Sequence, residues 1–297
     1  MKKFLKYLIV FLLVVFVSED IISQSKSDTK TTDSRSKKSG KKKKKYKLPN
    51  IDLSHWSVTI PVGKPTVVQP PDIMDYANNE TLKKFMYNDS VRGGLVFYAF
   101  PNASTPNSKY SRSELREQMV PGDNNVNWTF EQGGTMKGRL AMDEVSRDKN
   151  GKYHKVMVMQ IHGRLTDEQR DLIGQKDNNA PPILKIYWDN GKVRIKTKVL
   201  KDPGASDTAI LDKDAWGDDD GYKFKEEVGF KPFTVEIKVT KGKMVISLNN
   251  TEFKSYSGNS LDRWGVFENY FKAGNYFQSK DEGSFARVMY FDLKVKH

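Results

Sequence analysis

The chain contains no cysteine. Disulfides, thiolate metal sites and a cysteine nucleophile are excluded together. Histidine is scarce as well, with four in 297 residues, which argues against a multi-histidine metal centre. A long hydrophobic run is also missing. The most apolar stretch, Phe4–Val17, would span about 21 Å as a helix, short of the roughly 30 Å of a hydrocarbon core. Behind the positive start Met1-Lys2-Lys3 it has the make-up of a signal-peptide h-region, with cleavage expected near Ser23-Gln24. An uncleaved signal anchor is the alternative. Residues 1–24 are therefore read as a bacterial export signal. The mature protein is expected to be secreted or periplasmic, without a stable membrane partner.

Acidic residues are few where basic ones are dense. Residues 1–47 hold 14 Lys/Arg against 4 Asp/Glu, a net of +10 out of the formal +13. The high basicity therefore describes a tail, and the body is nearly balanced. Residues 25–46 contain no aliphatic side chain able to enter a core. Residues 25–47 are read as a solvated, disordered Lys/Ser-rich linker. Lys41–Lys45 could dock on an anionic surface or an acidic polymer, but a self-repelling spacer is the simpler reading. Nucleic acid is not an expected partner of an exported protein.

From Leu48 onward the sequence reads as one all-β domain, residues 48–297. Short alternating runs separated by turn residues give strands at 95–100, 134–142, 156–164, 183–188, 192–199, 233–239, 244–248 and 286–295. Asp189-Asn190-Gly191 is a type I′ hairpin signal. Helical signals are brief, at 81–86 and 167–172. Many short strands over about 250 residues predict a two-sheet antiparallel sandwich or jelly roll.

Three segments carry a polar face, since alternate side chains on a strand point to opposite sides. In the run from Tyr110 to Gln118, the residues Arg112, Glu114, Arg116 and Gln118 share one face. Between Val156 and His162, Val158, Gln160 and His162 oppose Met157, Met159 and Ile161. Between Tyr270 and Gln278, the face Lys272, Gly274, Tyr276 and Gln278 opposes Phe271, Ala273 and Phe277. If these faces share one sheet they form a surface suited to an acidic, hydroxyl-rich ligand. Arginine grips carboxylates in a fork, and His and Tyr can move protons. Each also has a plainer reading: an ion-pair ladder for the Arg-Glu-Arg face, packing for Tyr276. His55, His154 and His297 are read as structural. Gly274, disfavoured inside a strand, implies a close approach to the backbone.

The blocks Arg112-Ser113-Glu114-Leu115-Arg116, Gln160-Ile161-His162 and Tyr270-Phe271-Lys272-Ala273-Gly274-Asn275-Tyr276, in that order, resemble the signature set of the alginate lyases of polysaccharide lyase family seven. The resemblance implies a β-jelly roll with a concave substrate groove. It implies β-elimination on alginate, with no metal in the chemistry and no cofactor. It also implies a catalytic set of Arg112, Gln160, His162 and Tyr276, with Glu114, Arg116, Lys272 and Gln278 binding substrate. A monomer is expected.

The chemistry fits those residue types. The C5 proton of a 4-linked uronate lies beside a carboxylate whose charge makes it a poor acid. Arg112 and Gln160 would bind that carboxylate and stabilise the developing enolate. His162, taken at the ordinary pKa near 6.5, would act as base. Tyr276 would protonate the departing O4, and on mannuronate could also take the proton. Ile161 in the Gln-Ile-His block resembles members that favour guluronate-containing alginate. The runner-up is a lyase of the same fold on another polyuronate such as glucuronan. A non-catalytic carbohydrate-binding module would not need the His/Tyr pair. A glycoside hydrolase needs two carboxyl groups, and Glu114, lying between two arginines, is a poor candidate for a general acid. The loops 101–109 and 203–220 are candidates to close the groove, and Asp218-Asp219-Asp220 is a conceivable structural calcium loop. Deleting residues 25–46 is expected to leave turnover on short oligosaccharides nearly unchanged. Any loss of affinity would be confined to long alginate chains and fade with added salt. An unfolded truncation, read by circular dichroism, would show instead that the tail belongs to the fold.

Overall fold

The computed structural model describes residues 47–104 and 108–297. The expected signal peptide and, apart from Lys47, the expected linker lie outside the described residues. Two antiparallel sheets face each other, as the alternating strands predicted. One, the groove sheet, runs in the order Thr66–Val68, Trp56–Ile60, Arg112–Glu117, Glu268–Phe277, Val156–Arg164, Asn179–Asp189, Lys192–Leu200, Trp216–Asp218. The other, the back sheet, places Ala286–Lys296 at its centre between Gly134–Val145 and Gly94–Ala99. Neighbouring strands come from distant parts of the chain, which is the jelly-roll pattern. One short pairing departs from it, Asn50–Ile51 running parallel to Asp292–Leu293.

The strands form where the sequence alternates, and the core lies where the apolar sides meet. Leu115, Met159, Ile161, Phe271, Ala273 and Phe277 of the groove sheet are all fully buried with Phe97, Leu140 and Tyr290 of the back sheet. The predicted hairpin is present, with φ of 53° at Asn190 and 86° at Gly191, as a type I′ turn requires. The 167–172 helix is present and opens with a capping box from Thr166 to Gln169. Residues 81–86 are not a helix. They form turns, and Met86 already starts the strand Met86–Asp89. Asn79 draws the chain round there, its side chain accepting from the backbone N–H groups of Thr81 and Leu82.

Polar struts cross the core. The Tyr290 hydroxyl donates to the carbonyl of Val158 and accepts from the backbone N–H of Gly274, 3.1 Å away. Asn275 donates to the carbonyls of Phe97 and Ala286 at 3.0 and 2.8 Å. These contacts tie the groove sheet to the back sheet where the strands 156–164 and 268–277 change register.

Ala273 pairs with Met159, but the next pair is Tyr276 with Met157. Met157 then faces Tyr187 while Met159 faces Ile186, so Val158 is an extra residue in that ladder. This bulge corrects the simple alternation. Val158 turns into the core and Met157 lines the groove. Gly274 sits in the same irregularity with φ of 135°. A Cβ there would lie 2.7 Å from the carbonyl oxygen of Ser113 and 3.0 Å from the Cα of Glu114. The close approach expected at Gly274 is thus made by the neighbouring strand rather than by a ligand. Gly274→Ala is expected to lower unfolding free energy by at least about 2 kcal/mol, from positive-φ strain plus backbone overlap, and to reduce activity with it. Urea unfolding checks this, and an unchanged midpoint would show that the strand can regularise without cost.

Candidate active site

Strand pairing places the chemistry in rows across the groove sheet. One row runs Arg116, Lys272, Gln160, Lys185, Lys196. A second runs Arg112, Tyr276, Met157, Tyr187, Arg194. A shorter one pairs Tyr270 with His162. Adjacent strands lie about 4.8 Å apart, so each row is a line of side chains at that spacing on one face. Above them lies a groove of about 590 Å³, lined by Arg112, Gln160, His162, Lys272, Tyr276 and Gln278 among others. The three polar faces expected from the sequence therefore do share one surface.

Glu114 does not line this groove. Its carboxylate is buried beneath it, 1% exposed. There it accepts from Gln160 Nε2 and pairs with Lys272 Nζ, both at 2.5 Å, while Arg112 Nη1 stands 3.4 Å away. The residue expected to touch substrate instead holds three that face it. Lys272 is pressed down to a pKa of about 8, chiefly by burial and also by Arg112, against the opposing pull of Glu114.

Arg116 faces the groove but is largely engaged. Its guanidinium donates to the carbonyls of Glu117 and Asn124 and to Asn127 Oδ1, and it lies 4.0 Å over the Tyr270 ring. Tyr270 in turn stacks on His162, with centroids 5.3 Å apart and planes 16° from parallel. The imidazole is thereby clamped on one face. Its Nδ1 donates to the carbonyl of Gly163 at 2.9 Å, because a carbonyl can only accept. Nε2 is then the nitrogen with the lone pair. His162 is not an ordinary imidazole near 6.5. Burial first, then Lys272 and Arg112, lower its pKa to about 3, so it is neutral throughout the physiological range.

Tyr276 is held by Arg112, whose guanidinium lies 4.5 Å over the ring, and by the edge of Tyr110 with centroids 6.4 Å apart. Burial raises its hydroxyl pKa more than Arg112 and the hydrogen bond with Ser108 lower it. It is a protonated phenol at neutral pH. Gln278 anchors its amide on the carbonyl of Tyr276 at 3.1 Å.

Sequence reasoning missed several residues. Tyr187, Lys185 and Asn179 line the groove from the strand Asn179–Asp189. Their signal was weak because that strand is apolar at most other positions. On the opposite side the hairpin between Trp56–Ile60 and Thr66–Val68 brings Lys64, Pro65 and Val67 to the rim. Of the two loops expected to close the groove, 101–109 contributes Ser108 and Lys109. The segment 203–220 contributes no lining residue, but Asp218 reaches Lys185. Asp218 and Asp219 are occupied by lysines and by Thr197, not arranged as a calcium loop. His154 pairs with Asp281, His55 with the Gln118 carbonyl, and His297 with buried Glu117, the structural settings expected of them.

A jelly roll whose groove joins a cationic floor to a neutral imidazole and a phenol defines a carbohydrate-active enzyme acting on acidic polymers. Comparison with known proteins makes this specific. The family described as alginate lyase matches residues 51–297. An alginate lyase of Klebsiella pneumoniae is 24% identical, over 83% of this chain and 90% of that one. The solved structure of the family 7 alginate lyase A1-II′ is similar at 28% identity and a TM-score of 0.67, covering 84% of this chain and 94% of that one. It carries a His-to-Asn and a Tyr-to-Phe substitution and was determined in complex with substrate. The crystal structure of the Klebsiella pneumoniae enzyme, 20% identical with a TM-score of 0.63 over 84% and 97% of the two chains, shares the fold. The chain belongs to the alginate lyases of polysaccharide lyase family seven.

The depressed pKa of His162 has a consequence for stability. Between pH 3 and 6.5 the unfolded state binds a proton here that the folded state does not. The stability linked to the neutral ring is therefore fully present above pH 6.5 and lost as pH falls through that window. His162→Gln should remove this component. Its unfolding free energy, followed by urea titration from pH 7 downward, is expected to fall less steeply than the wild type's, by up to about 1.4 kcal/mol per pH unit. Parallel curves would show that His162 charges freely in the folded protein.

Proposed function

We propose that the groove cleaves the 1,4-linked polyuronate alginate by β-elimination, leaning to guluronate-containing chains. The observation that carries this reading is the convergence of a carboxylate-binding pair, a neutral base and a protonated phenol on one floor. Arg112 and Gln160 take the uronate carboxylate and stabilise the charge that moves onto it. His162 Nε2 removes the C5 proton. The C4–O4 bond breaks as the C4–C5 double bond forms, and the Tyr276 hydroxyl gives its proton to O4. The products are a 4-deoxy unsaturated uronate end and a free hydroxyl on the other fragment.

The low pKa of His162 serves this sequence. Burial is the larger cause of the depression and persists in the complex, but a bound carboxylate offsets the part that Lys272 and Arg112 contribute, so the base regains some proton affinity when substrate arrives. On mannuronate, where the C5 proton and O4 lie on one side of the ring, Tyr276 fills both roles only from its phenolate form, which Arg112 over the ring favours: it takes the C5 proton and passes that same proton to O4. The guluronate lean rests on Ile161, which is buried away from the groove and acts through the strand that carries Gln160 and His162. Support also comes from the A1-II′ structures, in which a Tyr-to-Phe enzyme was captured with product and the doubly substituted one with substrate. We read residues 1–24 as exporting this activity to the periplasm or medium, as a monomer needing no cofactor.

Tyr276→Phe tests the reading. The ring and its contact with Arg112 remain, so stability should fall by about 1 kcal/mol or less. Loss of the general acid should lower kcat by about 10²–10⁴-fold on polyguluronate and polymannuronate alike, with KM little changed. The ultraviolet absorbance of unsaturated uronate ends follows the reaction. Near wild-type kcat on both polymers would move the proton donor elsewhere, and faster product formation from glucuronan than from alginate would transfer the reading to that polymer.

A further inference from the structure

The row that crosses the catalytic floor does not stop at Gln160. It continues through Lys185 to Lys196, on the next two strands of the groove sheet. Lys185 is two strand steps from Lys272, about 10 Å, a span comparable with a disaccharide lying across the sheet. Lys198 follows Lys196 on the same face of its strand. These three ammonium groups share a single anion. Asp218 accepts from Lys185 through both carboxylate oxygens at 2.6 and 2.7 Å, from Lys198 at 2.8 Å, and stands 4.0 Å from Lys196.

Three cations around one carboxylate leave an excess of positive charge beside the groove, whose wall Lys185 lines. Lys185 is nearly buried, and burial lowers its pKa against the opposing pull of Asp218. Asp218 comes from Trp216–Asp218, a short edge strand whose pairing is limited to three residues of Lys192–Leu200. Its carboxylate is one-third exposed. An anion so placed, on a short edge strand and partly open to solvent, is one a competing carboxylate can replace.

Resting on the lyase reading above, we propose that Lys185, Lys196 and Lys198 form a distal subsite for a uronate carboxylate, and that Asp218 occupies it as a built-in competitor. The chain then discriminates by length. A short oligouronate that fills only the catalytic floor does not meet Asp218. A longer one must displace it to gain the three lysines, and part of the binding free energy of its far residue is lost in doing so.

The experiment measures affinity rather than turnover. In the Tyr276→Phe background, dissociation constants of alginate trimers and hexamers are determined by calorimetry with and without Asp218→Asn. The substitution keeps the side-chain shape and removes the charge. The hexamer is expected to bind about three- to tenfold more tightly while the trimer changes little. Adding Lys198→Met should cancel the gain. A hexamer-to-trimer affinity ratio unchanged by Asp218→Asn would overturn the subsite, and so would an equal gain for both lengths, which marks a diffuse charge effect. Should Asp218→Asn fail to fold, Lys196→Met carries the test. It removes the lysine farthest from Asp218 and should weaken hexamer binding alone, an unchanged ratio again refuting the proposal. Failure of the lyase reading shows separately, as wild-type protein that releases no unsaturated uronate while these affinities remain measurable.

Discussion

Glu114 makes the groove possible. Arg112, Arg116 and Lys272 project from two adjacent strands, about 4.8 Å apart, onto one face. Without an anion among them their mutual repulsion would splay the sheet or draw the ammonium of Lys272 toward solvent. A carboxylate beneath the floor binds Lys272 and Gln160 directly and faces Arg112. It leaves their outward sides available to a substrate carboxylate. The pairing is intolerant of truncation, because removing one partner of a buried ion pair strands the other at a typical cost of about 3–5 kcal/mol. The same anion orients the Gln160 amide, whose direction decides whether it presents a donor to the uronate.

The cationic excess that remains sets the chemistry of the neighbouring groups. Burial first, and then Lys272 and Arg112, hold His162 neutral. Tyr276 meets the opposite balance. Burial keeps its proton on while Arg112, stacked over the ring, favours the anion that forms if the proton leaves. A protonated phenol and a neutral imidazole thus line the same groove in the resting protein. The asymmetry arises from position on the sheet, since Tyr270 shields His162 on one side and Tyr110 borders Tyr276 on the other.

Much of this was legible in the chain because β-strands write their faces at every second residue. The Arg112–Arg116 block, the Gln160/His162 pair and the Lys272/Tyr276 pair each point one way, and the sheet brings them together. What escaped the sequence was non-local. The bulge at Val158 reverses the alternation of Met157 because of a register change against two partner strands, one of them carrying Gly274. Burial of Glu114 depends on the depth of the sheet below its neighbours. The pKa of His162 depends first on burial and then on charges from distant strands, Lys272 foremost and Arg112 after it. The Lys185 arm was missed for a simpler reason: a single lysine in an apolar strand has no pattern until Lys196 and Asp218 are placed beside it.

The two carboxylates in this sheet illustrate how depth assigns a role. Glu114 and Asp218 both neutralise lysines in the same cross-strand row. Glu114 lies under the floor on a central strand and is locked by its neighbours on both sides. Asp218 lies on an edge strand beside the groove, against Lys185 of its wall, and is partly open to solvent. The first cannot be reached by a polymer and therefore supports binding. The second stands where a polymer carboxylate would stand and therefore competes with it. A polyanion entering the groove meets lysines whose counter-ion is fixed at the catalytic centre and exchangeable at the far end. Affinity is thereby concentrated where the bond is broken, and the hold on the remainder of the chain is loosened.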